Sequence, residues 1–172
     1  MSNYIISIYG NCGSGKTTLS KALSKELKIN NLEFIGKYRK KLKIKNPADD
    51  ILAWIEMSKN LLKNSKIIYV STGLNMREEI IDMVFQYNNI PRYKILLKCP
   101  YNEIQYRLEN RDKQDSKYFP YKETSFSDIN KLDRKRNIND YHLVMDTSVL
   151  DIKDEVDIIK IMINNNEELM HG

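Results

Sequence analysis

One eight-residue segment restricts the fold of this chain more than any other feature. Residues 10–17 read Gly-Asn-Cys-Gly-Ser-Gly-Lys-Thr, which matches the pattern G-x-x-x-x-G-K-[ST] at every fixed position. A β-branched and aromatic run, Tyr4 to Tyr9, precedes the segment and is typical of a buried strand. An amphipathic stretch from Thr17 to Lys28 follows it and is typical of a helix. A strand, a glycine-rich turn and a helix in this order predict the opening unit of an α/β fold.

The residue types of this segment indicate a phosphate-binding loop. Glycines let the backbone curl so that successive N–H groups point at a phosphate, and the following helix adds its positive end. Lys16 would reach the β- and γ-phosphates and act in catalysis, and the Thr17 hydroxyl would bind magnesium. We therefore predict that the chain binds ATP with Mg²⁺. The predicted ATP-binding residues are Gly10, Asn11, Cys12, Gly13, Ser14, Gly15, Lys16, Thr17 and Thr18.

The rest of the chain alternates between strand and helix patterns. Four further strands are predicted at 32–35, 66–71, 93–98 and 141–145, and further helices at 47–63, 76–87, 101–112 and 151–163, with a frayed tail from residue 164. Residues 113–140 are polar and irregular. Five strands separated by helices predict a three-layer α/β P-loop fold, with a five-stranded parallel sheet and helices on both faces. We expect one domain over 1–172, with a lid segment at about 107–135.

Composition excludes several classes of protein. Two cysteines do not make a disulfide framework, and one of them, Cys12, lies inside the loop, so a reducing cytoplasm is the expected setting. No secretory leader is visible, and no apolar run approaches the ~20 residues that span a bilayer. We expect a cytoplasmic protein with no membrane partner.

Much of the net charge of +5 lies in residues 37–45, which contain six cations and no acid. This basic segment is either a solvated face or a region that attracts an anionic substrate, which could be a phosphorylated metabolite or a nucleic acid. Nearby, Trp54 falls on the apolar face of its predicted helix. The sequence predicts a core position for it, although that helix could also border an acceptor pocket.

The segments that follow the third and fourth strands separate the P-loop classes. A GTPase would carry Asp-x-x-Gly after the third strand, where this chain has Ser71-Thr72-Gly73. Motor and transport ATPases would end that strand in an acidic pair, and it ends in Ser71 instead. Small kinases remain, and they carry arginines in a lid after the fourth strand.

Arg107 and Arg111 are candidates for such lid arginines. They are four residues apart on a predicted helix and therefore share a face. Two guanidinium groups closing over the phosphates would stabilise transition-state charge, so both are predicted to be catalytic. The alternative is surface salt bridging with Glu103 and Glu109.

The whole layout resembles the small P-loop metabolite kinases and is most similar to adenylylsulfate kinase. Residues 34–42 occupy the place of that family's Asp-Gly-Asp-x-x-Arg-x-x-Leu, residues 70–77 resemble its Ile-Ser-Pro segment followed by arginine, and residues 111–118 resemble a degraded Arg-Asp-x-Lys-Gly-Leu-Tyr. Residues 144–148 resemble its fifth-strand Asp-Thr, near which the adenine lies. The resemblance implies that Arg39 and Arg77 hold an anionic acceptor, and that Ser71 contacts the acceptor or a magnesium-bound water. The alternatives are a surface cation for Arg39, a helix-start salt bridge for Arg77 and a turn hydroxyl for Ser71.

The chain departs from that family at the acceptor motif, because Phe34-Ile35-Gly36 replaces the acidic pair that supplies the family's general base. Asp49 and Asp50 are possible substitutes, but acids that begin a helix are the better interpretation of both. No general base is therefore predicted.

The departure suggests an acceptor other than adenylylsulfate. We expect a nucleotide-like small molecule, of which cytidine diphosphoramidate is one example known for relatives of the family. The alternatives are a nucleic-acid kinase, a nucleoside monophosphate kinase and a nucleotide-binding module without turnover. A homodimer is possible.

Overall fold

The structure is a computed structural model that describes residues 3–46, 49–64, 66–71, 79–110 and 133–171. Two predicted site residues, Arg77 and Arg111, lie outside these residues, as does most of the predicted lid.

A five-stranded, all-parallel sheet organises the fold, as the sequence predicts. The strands are β1 (Tyr4–Gly10), β2 (Leu32–Glu33), β3 (Lys66–Ser71), β4 (Arg92–Lys98) and β5 (Leu143–Asp146). They lie in the order β2-β3-β1-β4-β5, so β1 is central. Tyr9 pairs with Ser71 on one side, and Gly10 pairs with Leu97 on the other. The carboxyl ends of β3, β1 and β4 therefore meet at one edge of the sheet, which is where ligands bind in open α/β folds.

Helices cover both faces of the sheet. The α-helices that cover the sheet are α1 (Lys16–Glu26), α2 (Ile35–Lys41), α3 (Asp50–Lys63), α4 (Glu79–Tyr87), α5 (Tyr101–Glu109) and α6 (Ile152–His171), and a 3₁₀ turn spans Ile138–Asp140. Alternate residues of β1 point to opposite faces, because side chains alternate along a strand. One face packs Ile6 and Ile8 against α1 and α6, and the other packs Ile5 and Tyr9 against α2, α3 and α4.

Helix α2 was not predicted, because the sequence placed a strand as far as Ile35 and left the basic segment undecided. In the structure β2 ends at Glu33 and a helix begins at Ile35. Tyr38, the buried residue of this helix, donates its hydroxyl hydrogen to Glu33 Oε2 at 2.7 Å. A single buried aromatic and a tertiary hydrogen bond hold α2, so no repeating apolar pattern predicts it.

The last helix is longer than the hydrophobic pattern predicts. It continues to His171 rather than ending at Ile163. The prediction that the chain frays from residue 164 is therefore wrong, because the backbone there is helical. The physical reason is that neither glycine nor proline occurs between Ile163 and Gly172 to terminate the helix. No helix in the described ranges combines the length and hydropathy that a bilayer crossing requires.

Candidate active site

The phosphate loop begins where β1 ends, and its glycines adopt conformations that other residues avoid. Gly10, Gly13 and Gly15 have φ angles of 147°, 79° and 93°. A Cβ atom at Gly10 would lie 2.5 Å from the backbone oxygen of Leu97 on the neighbouring strand. The fixed glycines of the motif are thus required by positive φ and by the close approach of β4.

Lys16 lies against the backbone of the phosphate loop. Its Nζ donates to the carbonyl oxygens of Gly10 at 2.8 Å and Asn11 at 2.6 Å. The ammonium therefore sits beside the curled backbone, where a phosphate would meet it.

The start of α1 is open to a charged ligand. Thr17 and Thr18 are exposed, and the first turn of the helix carries no acidic residue. The positive end of the helix dipole is therefore not neutralised by its own side chains. Among the described residues, no group of His, Cys, Asp and Glu side chains could hold a metal ion alone. The exposed Thr17 hydroxyl fits a Mg²⁺ ion that takes most of its remaining ligands from phosphate oxygens and water.

Arg136, which no sequence motif predicts as a site residue, lies against the phosphate loop. Its Nη1 donates to Asn11 Oδ1 at 2.8 Å and to Asp133 Oδ1 at 2.9 Å, and Asn11 Nδ2 donates to the same Asp133 oxygen at 2.9 Å. The Arg136 side chain is 2% exposed. These three side chains form a closed ring of hydrogen bonds that fixes a guanidinium at the loop. The one available hint was the cluster Arg134-Lys135-Arg136 at the end of the predicted lid.

Arg107 also reaches the edge of the phosphate loop, but it is held by several partners. It donates to Glu103 Oε1 at 2.8 Å, to Thr147 Oγ1 at 2.9 Å and to the Thr147 carbonyl oxygen at 2.6 Å. Its Nη1 lies 3.9 Å from where a Cβ of Gly15 would be. The salt bridge with Glu103, which was the alternative to a catalytic role, is present, and the side chain nevertheless lies beside the loop. Its catalytic role stays a prediction.

Thr147 connects β4, the residues after β5 and the phosphate loop. Its backbone N–H donates to the Lys98 carbonyl at 3.0 Å, and its hydroxyl donates to the carbonyl of Ser14 at 3.2 Å. The Asp-Thr pair that the family resemblance singled out therefore adjoins the loop.

Glu155, on the first turn of α6, has a buried carboxyl group that lies near Arg107 of α5. Glu155 is 4% exposed, and burial raises its pKa to about 7, although the nearby Arg107 opposes that rise and Asp151 adds to it. Glu155 is therefore largely protonated in the folded protein at mildly acidic pH.

Arg39, the predicted acceptor-binding arginine, forms a two-point ion pair across α2 and α3. Its Nε donates to Asp50 Oδ1 at 2.5 Å, and its Nη2 donates to Asp50 Oδ2 at 2.7 Å. The same Oδ2 accepts from Trp54 Nε1 at 3.0 Å. This Asp50 contact raises the pKa of the guanidinium. The prediction that Trp54 is a core residue is confirmed, since its side chain is fully buried. Ser71, the other described acceptor candidate, is half-buried at the carboxyl end of β3.

Glu33 is a buried acid at the end of β2, one residue before the position of the missing acidic pair. It accepts hydrogen bonds from Lys37 Nζ at 3.0 Å, from the Tyr38 hydroxyl at 2.7 Å and from Asn60 Nδ2 at 3.1 Å. Burial raises the pKa of Tyr38, and the bond to Glu33 raises it further. Because Glu33 is enclosed by donors, it fits a role in holding α2 on α3 rather than the role of general base.

Acidic side chains form ion pairs with three cations of the basic segment. Lys37 pairs with Glu33, Arg39 with Asp50, and Lys41 with Glu56. Lys43 and Lys45 are exposed at its end. The segment is therefore not a continuous stripe of uncompensated positive charge.

Comparisons with known proteins agree with this geometry. Residues 6–130 match the family described as AAA domain. No curated protein sequence matches the chain.

Several solved structures are similar over nearly the whole chain. The APS kinase of Mycobacterium tuberculosis, in complex with AMPPNP and APS, superposes with a TM-score of 0.68 at 12% identity over 95% of this chain and 98% of its own. The shikimate kinase of Bacteroides thetaiotaomicron gives 0.67 at 15% identity, over 95% of this chain and 99% of its own. The shikimate kinase of Acinetobacter baumannii, in complex with shikimate, gives 0.64 at 16% identity, over 95% and 94%.

The phosphate loop, the parallel sheet with β1 at its centre and the match over residues 6–130 lead to one assignment. The chain belongs to the AAA domain family of P-loop proteins and has the fold of the small-molecule kinases.

Proposed function

We propose that this protein is an ATP- and magnesium-dependent kinase that phosphorylates a hydroxyl group of a small, anionic, nucleotide-like acceptor. The observation that carries the proposal is the convergence of three cations on one loop. The Lys16 ammonium lies on the loop carbonyls, Arg136 bonds to Asn11, and Arg107 lies at Gly15. Phosphoryl transfer depends mostly on positioning and on stabilising charge, and this arrangement supplies both.

The proposed reaction is an in-line displacement at the γ-phosphorus. The acceptor oxygen forms a bond to phosphorus as the bond to the β–γ bridging oxygen breaks, so ADP leaves and the proton of the acceptor hydroxyl passes to water. Lys16 and the arginines offset the charge that develops on the transferred group. Magnesium, held by the Thr17 hydroxyl and phosphate oxygens, would neutralise the β- and γ-oxygens. No described carboxylate is assigned as the base for the acceptor proton.

The similar structures direct the choice of acceptors. The ligands bound in these structures include APS, which is a nucleotide, and shikimate, which is a small carboxylate. Both ligands are anions, and the Arg39 side chain, which is 41% exposed, suits a phosphate or a carboxylate equally. We favour a nucleotide-like acceptor because of the motifs that resemble adenylylsulfate kinase.

A nucleic-acid substrate receives less support from the basic segment. Three of its cations are paired with acids, which leaves less charge to follow a phosphate backbone. A nucleoside monophosphate kinase would bind its substrate at the same arginine, and the products of the transfer assay distinguish it.

The test begins with the nucleotide. Lys16→Ala is expected to weaken Mg-ATP binding about 10- to 100-fold, because one ionic hydrogen-bonding group is worth about 1.5–3 kcal/mol. Lys21→Ala is the matched control, since Lys21 is exposed on the same helix. Titration calorimetry reads both variants, and the absence of Mg-ATP binding by the native chain would refute the proposal.

The acceptor is then sought by transfer of labelled γ-phosphate to a panel of nucleotides, shikimate, sugars and short oligonucleotides. The proposal expects Lys16-dependent transfer to a small anion, with acceptor binding that depends only weakly on salt. Transfer to an oligonucleotide with a steep salt dependence would favour the nucleic-acid alternative. ATP binding without transfer to any compound would favour a binding module without turnover.

A further inference from the structure

We infer that Asp50 is the positioning residue that presents Arg39 to the anionic group of the acceptor, and that Trp54 anchors Asp50 and senses occupancy of this site. The inference rests on the proposed kinase function and assigns the support of its acceptor site.

The ion pair leaves one edge of the guanidinium available. Asp50 occupies Nε and Nη2 of Arg39, and within the described ranges Nη1 has no hydrogen-bond partner. A side-on pair of this kind holds the planar guanidinium in one orientation and directs its remaining N–H groups away from the carboxylate. Those groups can form a second, bidentate or single contact with a phosphate, sulfate or carboxylate.

Burial decreases stepwise along the three residues. Trp54 is fully buried among the side chains that face β1 and β3, the Asp50 side chain is 13% exposed, and the Arg39 side chain is 41% exposed. The orientation of the indole is therefore set by core packing, the indole N–H fixes one carboxylate oxygen, and that carboxylate fixes the arginine. An arginine that is held in place loses less rotamer entropy on binding, so its support increases affinity for the anion.

The position of the pair in the fold agrees with an acceptor site. Arg39 is close enough to Tyr69 of β3 to interact with it electrostatically. Tyr69 lies two residues before Ser71, which pairs with Tyr9, the residue before the phosphate loop. The guanidinium thus lies on the α2–α3 side of β1 and β3, whose carboxyl ends lie at the phosphate loop.

The same contacts could simply tether α2 to α3, and this role must be separated from positioning. A tether predicts that substitutions of Asp50 lower the free energy of unfolding and leave anion affinity unchanged in the folded protein. Positioning predicts a loss of anion affinity that is larger for Asp50→Ala than for Asp50→Glu, which keeps a carboxylate.

The experiment uses the intrinsic fluorescence of Trp54, the single tryptophan of the chain. Native protein saturated with Mg-AMPPNP is titrated separately with inorganic phosphate, AMP and shikimate. At least one of these anions is expected to change the Trp54 emission saturably. Arg39→Ala should abolish that change, and Asp50→Ala should raise the half-saturation concentration on the order of tenfold, the loss expected for one charge-assisted contact.

Asp50→Glu should recover part of the affinity, and Lys41→Ala should leave it unchanged, because Lys41 lies on the same helix and pairs with Glu56 instead. Urea unfolding of each variant identifies the fraction folded. Once an acceptor is known, Asp50→Ala should raise the KM for the acceptor and leave kcat and the affinity for ATP unchanged.

Two results would overturn the inference. One is an Asp50→Ala variant that is folded and binds the responding anion as tightly as the native chain. The other is a native chain that binds Mg-AMPPNP yet shows no emission change with any of the three anions. Failure of the proposed function itself is recognised separately, because nucleotide binding by the native chain would then be absent or would not depend on Lys16.

Discussion

Replacing Glu155 with glutamine is expected to stabilise the protein at alkaline pH and to leave its stability unchanged in acid. Glu155 is 4% exposed on α6, and burial raises its pKa from the ordinary value of 4.5 to about 7. Burial disfavours the charged form, and the nearby Arg107 only partly compensates. Glutamine keeps the size of the side chain and removes the charge.

The magnitude follows from the two pKa values. One pKa unit is equivalent to about 1.4 kcal/mol, so the difference between 4.5 and about 7 corresponds to about 3 kcal/mol at most. The folded state binds the proton more tightly than the unfolded state, and stability therefore falls as the pH rises from 4.5 to about 7. Below pH 4.5 the carboxyl is protonated in both states and the group contributes no difference. Above pH 7 the full destabilisation is present, and Glu155→Gln removes it.

Urea unfolding of the native chain and of Glu155→Gln at pH 4.5, 6, 7 and 8 measures the effect. The difference in unfolding free energy should grow from near zero to about 3 kcal/mol, which for a chain of this size is roughly 6–12 °C in Tm. Asp157→Asn, an exposed acid on the same helix, should show a difference within about 0.5 kcal/mol at every pH. Arg107→Ala should steepen the dependence, because it removes the cation that favours the ionised carboxylate. A Glu155→Gln difference that is equal at pH 4.5 and pH 8 would refute the reasoning.

Three further substitutions test the site and its supports. Gly10→Ala should abolish Mg-ATP binding in calorimetry, because the added Cβ would lie 2.5 Å from the Leu97 oxygen. Gly36→Ala is the control and should bind normally, because its added Cβ would meet only the Phe34 ring, at 3.4 Å. Intact binding by Gly10→Ala would contradict the loop geometry. Arg136→Ala should slow single-turnover phosphoryl transfer about 100- to 1,000-fold with ATP still bound, and an unchanged rate would exclude a catalytic role for this arginine. Tyr38→Phe should lower the urea-unfolding free energy by about 1–3 kcal/mol, because a buried carboxylate loses a donor, and an unchanged stability would show that this bond contributes nothing.

The strands and the phosphate loop could be predicted because their causes are local. In β1 all seven residues are buried, and a β-branched and aromatic run that only Ser7 interrupts marks the strand. The loop needs positive φ at glycines within a few residues of each other, and that requirement is written in the spacing of the motif. Its lysine contacts backbone oxygens only five and six residues away.

The site residues that no sequence pattern predicts act through distant partners. Arg136 meets Asn11 across 125 residues of chain, and no local pattern connects them. Asp50 was interpreted as an acid at a helix start, and it does begin α3, but its carboxylate faces Arg39 and Trp54. Glu33 falls in a predicted strand and matches no site motif, and its role depends on donors from α2 and α3.

The amino-acid sequence alone determined that the chain has a phosphate loop after its first strand and that strands and helices alternate after it. Both depend on backbone conformation and hydrophobic periodicity, which act over a few neighbouring residues. Tertiary structure decided which arginines lie at the loop, which acid orients Arg39 and which carboxyl group is buried with a raised pKa, because pairing between side chains depends on where separate elements pack.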